Sequence, residues 1–322
     1  MPTNSLSQAI AQVLEPRSQL GACTAFKLTA LVGRGLYRLK LGRVRLVQSA
    51  GGTIYIKTRR RHSALLVGVG NAAVSLCHGE LRGLRERDWL AWEPVIGAWA
   101  WPEGISSRVR VERRSLLCPA LPGEPLAAIL RSERSLGARM RAVEIAAREL
   151  QRLQSSQMRF PDGGVRRWSH GDAHAKNVLV DLEQGRALWF DFETVHAARC
   201  SPRWRHADDL RALAYSCAAT CCSREYADLV RTLARSVECP RLREELLRQS
   251  LELQRRARPF HLAQAPLGWA EHQSFGRALQ AELESESVQE AERGHAPATH
   301  SGARGKYLSA SASGPERGQR RP

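Results

Sequence analysis

Alternating apolar and polar residues predict that the first part of the chain forms β-strands. Between residues 26 and 58, segments such as 37–41 and 53–57 place an apolar side chain at every second position. This period of two is expected of half-buried strands. Gly33 and Gly35 lie between two of the predicted strands and suit a tight turn.

Further along the chain, the apolar period changes to the three-to-four-residue spacing of helices. Helices are predicted at residues 77–92, 124–154 and 208–283. A strand at 114–118 and a proline-rich connector at 119–123 separate the first two helices, and two short strands around a turn follow residue 164. No internal repeat is visible in the sequence.

This order of elements predicts an α+β protein built in two parts. Residues 21–121 would form a small antiparallel sheet with one helix, and residues 122–285 a larger, mainly helical part. A short leader helix is expected at residues 1–20. From about residue 286 onward large apolar residues are nearly absent, which predicts a disordered tail over residues 286–322.

The composition is that of an ordinary globular protein, with 43% hydrophobic and 25% charged residues in a chain of 322. The longest apolar run, residues 64–76, is shorter than the roughly 18 to 20 residues of a membrane-spanning helix. The first residues lack the pattern of a secretory signal. The eight cysteines are scattered without metal-ligand spacing, as expected of reduced thiols. We therefore expect a cytoplasmic protein.

The net charge of +17 raises the question of a polyanionic partner. Only five of the 49 basic residues are lysine, a bias typical of a whole genome as much as of a phosphate-binding surface. Aromatic and basic residues are not interleaved, so a nucleic-acid partner is not expected. Peripheral contact with an anionic membrane surface is compatible with the charge, and no feature indicates an oligomeric state. Because lysine is rare, a lysine at a motif position is informative.

The segment SHGDAHAKNVLVDLEQGRALWFDFE, residues 169–193, carries the candidate chemistry. Asp172 and Asn177 are five positions apart, and the residues after Asn177 predict a hairpin that returns to Asp191. The hairpin should bring all three side chains to one end. Asp191 and Asn177 offer the hard oxygen ligands that Mg²⁺ prefers, and Asp172 could receive a proton from an acceptor hydroxyl. His170 is either a structural anchor of this loop or a general base.

HGDAHAKN followed by DFE resembles the catalytic and metal-binding loops of the protein-kinase-like superfamily. The form with glycine at Gly171 is similar to the branch of aminoglycoside and choline phosphotransferases and lipopolysaccharide-core sugar kinases. The resemblance covers about residues 21–285. It implies a two-lobed fold and transfer of a phosphoryl group from Mg-ATP to a hydroxyl acceptor. The short interval from Glu193 to Asp208 leaves little room for an activation segment.

The resemblance also implies roles for residues outside the central segment. Gly33 and Gly35 match the loop that covers the nucleotide phosphates, and Lys57 matches the lysine that contacts them. The carboxylate partner of Lys57 should be Glu80 or Glu86, since each is followed by leucine four positions later, and Glu80 is preferred. The remaining matches are the hinge at residues 116–123, the loop-holding or helix-capping aspartates Asp208 and Asp209, and the loop residues His174 and Lys176, which face either the phosphate or solvent.

The acceptor is the least determined part of the function. Glycine at Gly171 and the short following segment favour a non-protein hydroxyl. An anionic glycan or lipopolysaccharide-core sugar is favoured over a polycationic aminoglycoside because the region 208–283 is rich in arginine, including Arg211, Arg224, Arg231, Arg235, Arg241 and Arg243. The alternatives are a protein or small-metabolite kinase, or an inactive kinase-like binding module.

Overall fold

The computed structural model describes residues 42–49, 52–76, 80–159, 164–255 and 267–294, which form an α+β structure with small antiparallel sheets. The strands are β1 (Gly42–Ser49), β2 (Gly52–Arg59), β3 (Leu81–Gly83), β4 (Arg110–Glu112), β5 (Ser115–Pro119), β6 (Glu124–Pro125), β7 (Gln157–Arg159), β8 (Val165–Arg167), β9 (Val178–Asp181), β10 (Arg186–Trp189) and β11 (Thr194–His196). The α-helices are α1 (Ser63–Leu76), α2 (Glu86–Ala100), α3 (Glu103–Ser106), α4 (Leu126–Arg131), α5 (Leu136–Ser155), α6 (Pro202–Ala218), α7 (Tyr226–Ser236), α8 (Pro240–Arg255) and α9 (Trp269–Gly294).

A four-stranded antiparallel sheet, in the order β1-β2-β5-β4, carries Lys57 near the end of an inner strand. The strands predicted at residues 53–57 and 114–118 are confirmed as β2 and β5, which pair with Lys57 opposite Leu116. The strand predicted at 37–41 and the glycines Gly33 and Gly35 lie outside the described residues.

The helix predicted at residues 77–92 is wrong in its position. Leu81–Gly83 forms strand β3, which pairs with β11, and the helix begins only at Glu86 and continues through Pro94 to Ala100. The side-chain amide of Asn71 in α1 donates to the carbonyl of Gly83 at 2.9 Å and accepts from the Gly83 amide at 2.8 Å. These contacts and the pairing with β11 satisfy the backbone of β3, so the helical apolar spacing was overridden by tertiary contacts.

Helices α4 and α5 pack against the small sheet β10-β9-β6, and helices α6 to α9 pack against α5 and one another. The predicted helix at 124–154 is divided, because Glu124–Pro125 pairs with β9 and residues 132–135 separate α4 from α5. Helix α6 begins at Pro202, six residues before the predicted start, because the Ser201 hydroxyl caps it by accepting from the Trp204 amide at 3.2 Å.

The last described helix, α9, runs to Gly294 and so passes the predicted tail boundary at residue 286. Leu283 is fully buried and Glu286 forms an ion pair of 3.5 Å with Arg235 of α7, so tertiary packing holds this helix up to the predicted boundary. The predicted leader at 1–20 and the tail beyond residue 294 lie outside the described residues. Among the helices described, none is long and apolar enough to cross a membrane.

Candidate functional site

Lys57 joins the sheet to the loop that follows strand β10. Its Nζ lies 2.8 Å from Glu93 Oε1, 2.8 Å from Asp191 Oδ1 and 3.8 Å from Glu193 Oε1. Burial of the ammonium opposes its charge, but the carboxylates of Asp191 and Glu93 outweigh burial and raise the pKa of Lys57 well above its usual value. Lys57 is therefore a fixed cation at the meeting point of three carboxylates.

The partner of Lys57 on the helix is Glu93, so the prediction of Glu80 or Glu86 is wrong. Glu80 precedes β3, where its carbonyl accepts from the Ala197 amide, and Glu86 forms an ion pair with the exposed Arg114. Both lie before or at the start of α2, whereas Glu93 lies two turns into the helix and is 2% exposed.

A sequence signal for Glu93 did exist. Trp89, Trp92 and Ile96 follow a helical spacing that continues past Pro94, and all three are buried. This period places Glu93 on the inward side of α2. The Trp89 indole Nε1 donates to Glu93 Oε2, and the Lys57 ammonium lies 5.7 Å from the Trp89 ring centroid. The sequence analysis looked instead for leucine four positions after the glutamate, where Glu93 has Gly97.

Glu193 was quoted within the DFE motif but given no role, and the structure places it beside two cations. Its carboxylate lies 3.1 Å from the guanidinium of the buried Arg59. Burial, and next the neighbouring Asp191 carboxylate, raise the pKa of Glu193 to about 7. For Asp191, burial is outweighed by Lys57, which lowers its pKa. At neutral pH Asp191 is thus the fully ionised member of this pair.

The loop that carries Asp172 is held from behind by Asp209. The Asp209 carboxylate accepts from the backbone amides of His170 and Gly171, each at 2.8 Å, and from the Gln154 side chain at 2.9 Å. Asp209 lies in the interior of α6 and does not cap it. Of the two roles predicted for this position, loop-holding is the one that the contacts support.

Gly171 is required by the shape of the same loop. Its φ is +81°, and a Cβ added there would lie 2.8 Å from the carbonyl oxygen of Thr194. A side chain would therefore meet both backbone strain and a steric clash.

His170 is an anchor of the loop in this structure. It is 1% exposed, its Nδ1 accepts from the Asp172 amide at 3.3 Å, and its Nε2 donates to the Phe190 carbonyl at 3.1 Å. Burial lowers its pKa to about 4. The ring packs against an aromatic cluster formed by Trp168, Trp189 and Phe192. A neutral, buried imidazole with both nitrogens bonded supports the structural role over that of a general base.

The hairpin predicted after Asn177 is confirmed by the antiparallel pairing of β9 with β10. The Phe190 amide donates to the Asn177 carbonyl at 3.0 Å, which closes the hairpin next to Asp191. The Asn177 side-chain amide donates to the Asp172 carbonyl at 3.0 Å and to Asp172 Oδ2 at 3.1 Å. The three residues thus belong to one site at the open end of the hairpin.

Two side-chain oxygen atoms at this end are candidate ligands for a magnesium ion. Within the described residues, no hydrogen bond reaches Asn177 Oδ1 or Asp191 Oδ2. A carboxylate and an amide oxygen are hard ligands of the kind that Mg²⁺ prefers. Candidate ligand atoms of Glu93, Asp191 and Glu193 also lie within 4.8 Å of one another, but the Lys57 ammonium already contacts the first two at 2.8 Å. The Asn177 side of Asp191 is therefore the better candidate for a metal site.

The neighbouring loop residues divide into one buried and one exposed side chain. His174 is 5% exposed and its Nδ1 accepts from the Lys176 amide at 3.1 Å, whereas the Lys176 side chain is exposed. Of the two, only Lys176 presents its side chain to solvent.

A second layer of polar contacts beneath the loop was not predicted. His196 Nδ1 lies 2.9 Å from Ser169 Oγ, and its Nε2 lies 3.2 Å from Asp208 Oδ2. Arg211 Nε donates to the other Asp208 oxygen at 3.1 Å. All four side chains are buried, so this layer supports the loop and has no access to a substrate.

The predicted hinge at residues 116–123 begins within β5, where Leu116 and Cys118 are buried. The Ala120 amide donates to the Thr53 carbonyl at 2.9 Å. Gly123 has a φ of +102°, and a Cβ there would lie 3.0 Å from the Val180 backbone. This segment therefore connects the four-stranded sheet to strand β9.

Four of the six arginines that led to the prediction of an anionic acceptor already contact other groups of the protein. Arg211 is held by Asp208, and Arg243 is buried and donates to the Val237 carbonyl at 2.8 Å. Arg231 and Arg235 pair with acidic side chains, Asp228 and Glu286. Of the six arginines, Arg224 and Arg241 are exposed with no ion pair among the described residues.

No protein-family model matches the chain, and no curated protein does. Kinase-like chemistry is therefore a proposal that rests on the motifs of the chain and on the contacts of Lys57, Asp172 and Asp191.

Proposed function

We propose that this chain is a Mg-ATP-dependent phosphotransferase with a two-lobed, kinase-like architecture that acts on a hydroxyl acceptor. The observation that carries the proposal is the Lys57 ammonium, fixed at 2.8 Å from both Glu93 and Asp191. This ammonium joins strand β2 to helix α2 and to the loop of Asp191 after strand β10. A cation of this kind suits the phosphates of a nucleotide.

The residues around Lys57 supply the other functions that phosphoryl transfer needs. Asn177 and Asp191 would hold Mg²⁺, which when bound neutralises and orients the β- and γ-phosphates. Glu93 positions Lys57 from the helix. Asp209 and His170 hold the loop backbone, so that the Asp172 carboxylate is presented at a fixed place.

In the proposed reaction, Asp172 accepts the proton of the acceptor hydroxyl. The hydroxyl oxygen forms a bond to the γ-phosphorus, and the bond between that phosphorus and the β,γ-bridging oxygen breaks, releasing ADP. The side-chain amide of Asn177, 3.1 Å from Asp172 Oδ2, orients the carboxylate during this transfer.

The acceptor is proposed to be a non-protein hydroxyl compound. The described chain has 14 residues between Glu193 and Asp208, and β11 and the start of α6 take up most of them. No long segment is present there to bind an extended peptide. An anionic glycan stays the favoured class, although with Arg211 and Arg243 buried it rests on fewer arginines than the sequence suggested.

The proposal predicts a melting temperature that rises with millimolar Mg-ATP, since a ligand that binds only the folded state stabilises it. Asp191→Asn should reduce the rise strongly, because it replaces a charged carboxylate ligand by a neutral amide and keeps a residue type that tolerates the φ of +68° at this position. Asp172→Asn should keep the rise and lower kcat on the true acceptor by about a hundredfold or more.

Asp181→Asn is the matched control, since Asp181 lies in the same hairpin and, among the described residues, its carboxylate has polar contacts with Gln184 and Arg186. It should behave like the native chain. A native chain without a shift in millimolar Mg-ATP, or an Asp191→Asn variant with an unchanged shift, would count against the proposal.

A further inference from the structure

Helix α1, which lies between the strand of Lys57 and the helix of Glu93, has an exposed apolar face. Ser63 and Val67 are buried, and Asn71 is bonded to β3, so this side faces the protein. On the other side Leu65 is 70% exposed and Val69 is 55% exposed. Large apolar side chains grouped on one exposed face mark an interaction surface.

The sequence of α1 contains no charged residue, SALLVGVGNAAVSL, and its exposed face continues through Gly68 and Ala72. Surface helices normally carry charged residues on the solvent side. A helix of 14 residues is too short to cross a bilayer but long enough to lie along its surface.

Exposed basic residues flank α1 in the sequence and in the strand against which it packs, and acidic residues are absent from this stretch of sequence. Arg61 and His62 precede α1 and are exposed, and Arg82 of β3, against which α1 packs, is exposed as well. Between residues 52 and 79 the sequence has no Asp or Glu. Exposed arginines near an apolar helix face are complementary to a surface that is anionic outside and apolar inside.

We propose that α1 docks on an anionic lipid surface, with Leu65 and Val69 among the acyl chains and Arg61 and Arg82 at the phosphate headgroups. A net charge of +17 favours an anionic partner over a second copy of the same chain, because two such copies repel each other. This inference stands independently of the catalytic proposal, since it uses none of the residues assigned to phosphoryl transfer.

The test is co-sedimentation of the full chain with vesicles of phosphatidylcholine, with and without phosphatidylglycerol. The native chain should bind the phosphatidylglycerol vesicles, and binding should weaken as salt is added. Leu65→Glu/Val69→Glu should lower the affinity at least tenfold. Arg61→Gln/Arg82→Gln should lower it by about thirtyfold, since each arginine near such a surface contributes about 1 kcal/mol.

The matched control is Leu136→Glu/Val165→Glu, which makes the same change of charge at two exposed apolar residues elsewhere. It should retain most of the binding, and the melting temperature of each variant verifies folding. If the α1 double variant fails to fold, the arginine pair decides the question.

Three results would overturn the proposal. The first is equal binding to both kinds of vesicle, and the second is equal loss of binding in the α1 and control variants. The third is a native chain that dimerises through α1 without binding vesicles, which would make a second copy the occupant.

Discussion

Glu93 shows how much a single acidic residue depends on its surroundings. It is buried to 2% exposure and is compensated by the Lys57 ammonium and the Trp89 indole. A carboxylate is costly to bury without such partners. Glu80 and Glu86 are nearer to Lys57 in sequence, but they lie before α2 and at its start. There the Glu80 carbonyl accepts from the Ala197 amide, and the Glu86 carboxylate pairs with Arg114.

Replacement of Glu93 should therefore lower activity far more than replacement of Glu80 or Glu86, the two glutamates that the sequence analysis favoured. Glu93→Gln leaves Lys57 without its helical anchor and should lower ATP turnover by about a hundredfold, the scale of loss for a misplaced catalytic group. Glu80→Gln and Glu86→Gln should stay within a few-fold of the native rate. Steady-state kinetics of the three variants makes the comparison, and the reverse order of activities would refute the assignment of Glu93.

Gly171 gives a second prediction at the scale of a residue. Gly171→Ala places a methyl group 2.8 Å from the Thr194 carbonyl in a left-handed backbone and should lower the free energy of unfolding by about 1–3 kcal/mol. Gly137→Ala is the control, because nothing lies within 4 Å of its added methyl group and it sits in helix α5. This second change should raise stability by roughly 0.5–1 kcal/mol. Urea denaturation distinguishes the two.

At the scale of elements, strand β3 connects α1 to the loop of Asp191. Asn71 holds Gly83 with two hydrogen bonds, and the next amide, Leu84, donates to the Glu193 carbonyl at 2.8 Å. Three residues of strand are thus enough to connect the exposed helix to the candidate metal loop.

Asn71→Ala should remove both hydrogen bonds and lower the free energy of unfolding by about 1–3 kcal/mol. The amides of Gly83 and Leu84 should also exchange hydrogen faster, because β3 loses its support on one side. Ala72→Ser, one position along on the exposed face, is the control and should change neither quantity. Unchanged exchange at Leu84 in Asn71→Ala would show that the link is unimportant.

Elements that depend on local pattern were the ones that the sequence predicted well. The hairpin after Asn177 follows from alternation and a turn within 12 residues, and it forms with antiparallel pairing. Strand β3 and the end of α9 could not be predicted in this way. Their backbone or side-chain partners, β11 and Arg235, lie far away in the sequence.

The residues of the candidate site show the same difference between local pattern and long-range packing. Asp172, Asn177 and Asp191 lie within one 25-residue segment and were predicted together, as was Lys57 from its strand. Glu93, Glu193 and the layer around His196 were not given their roles, because those depend on how separate elements pack. Gly33 and Gly35 stay predictions, since they lie outside the described residues.

For the molecule as a whole, buried histidines should set the response to acid. Burial lowers the pKa values of His170, His206 and His272 to about 4. In the unfolded chain these groups take up protons below about pH 6.5. Unfolding therefore binds protons between about pH 6.5 and 4, and stability should fall as the pH decreases through this window. The raised pKa values of Glu193 and Asp209 act in the opposite direction but involve fewer groups.

A single replacement tests this prediction. His272→Gln should make the dependence of unfolding free energy on pH shallower by roughly 1.4 kcal/mol per pH unit within the window. His62→Gln, at an exposed position, should leave the slope close to that of the native chain. Urea denaturation at a series of pH values measures both slopes, and equal slopes for all three proteins would contradict the buried-histidine account.

The ion pair between Lys57 and Asp191 joins residues 134 positions apart. Closing a loop of this length costs chain entropy before the contact can form, and contacts of high sequence separation are made late in folding. The hairpin β9–β10 joins near neighbours and can form early. We therefore expect the contacts of the candidate site to form after the secondary structure around them. A fragment that begins after Arg59 would contain Asp172, Asn177 and Asp191 but would lack the cation that holds Asp191 in place.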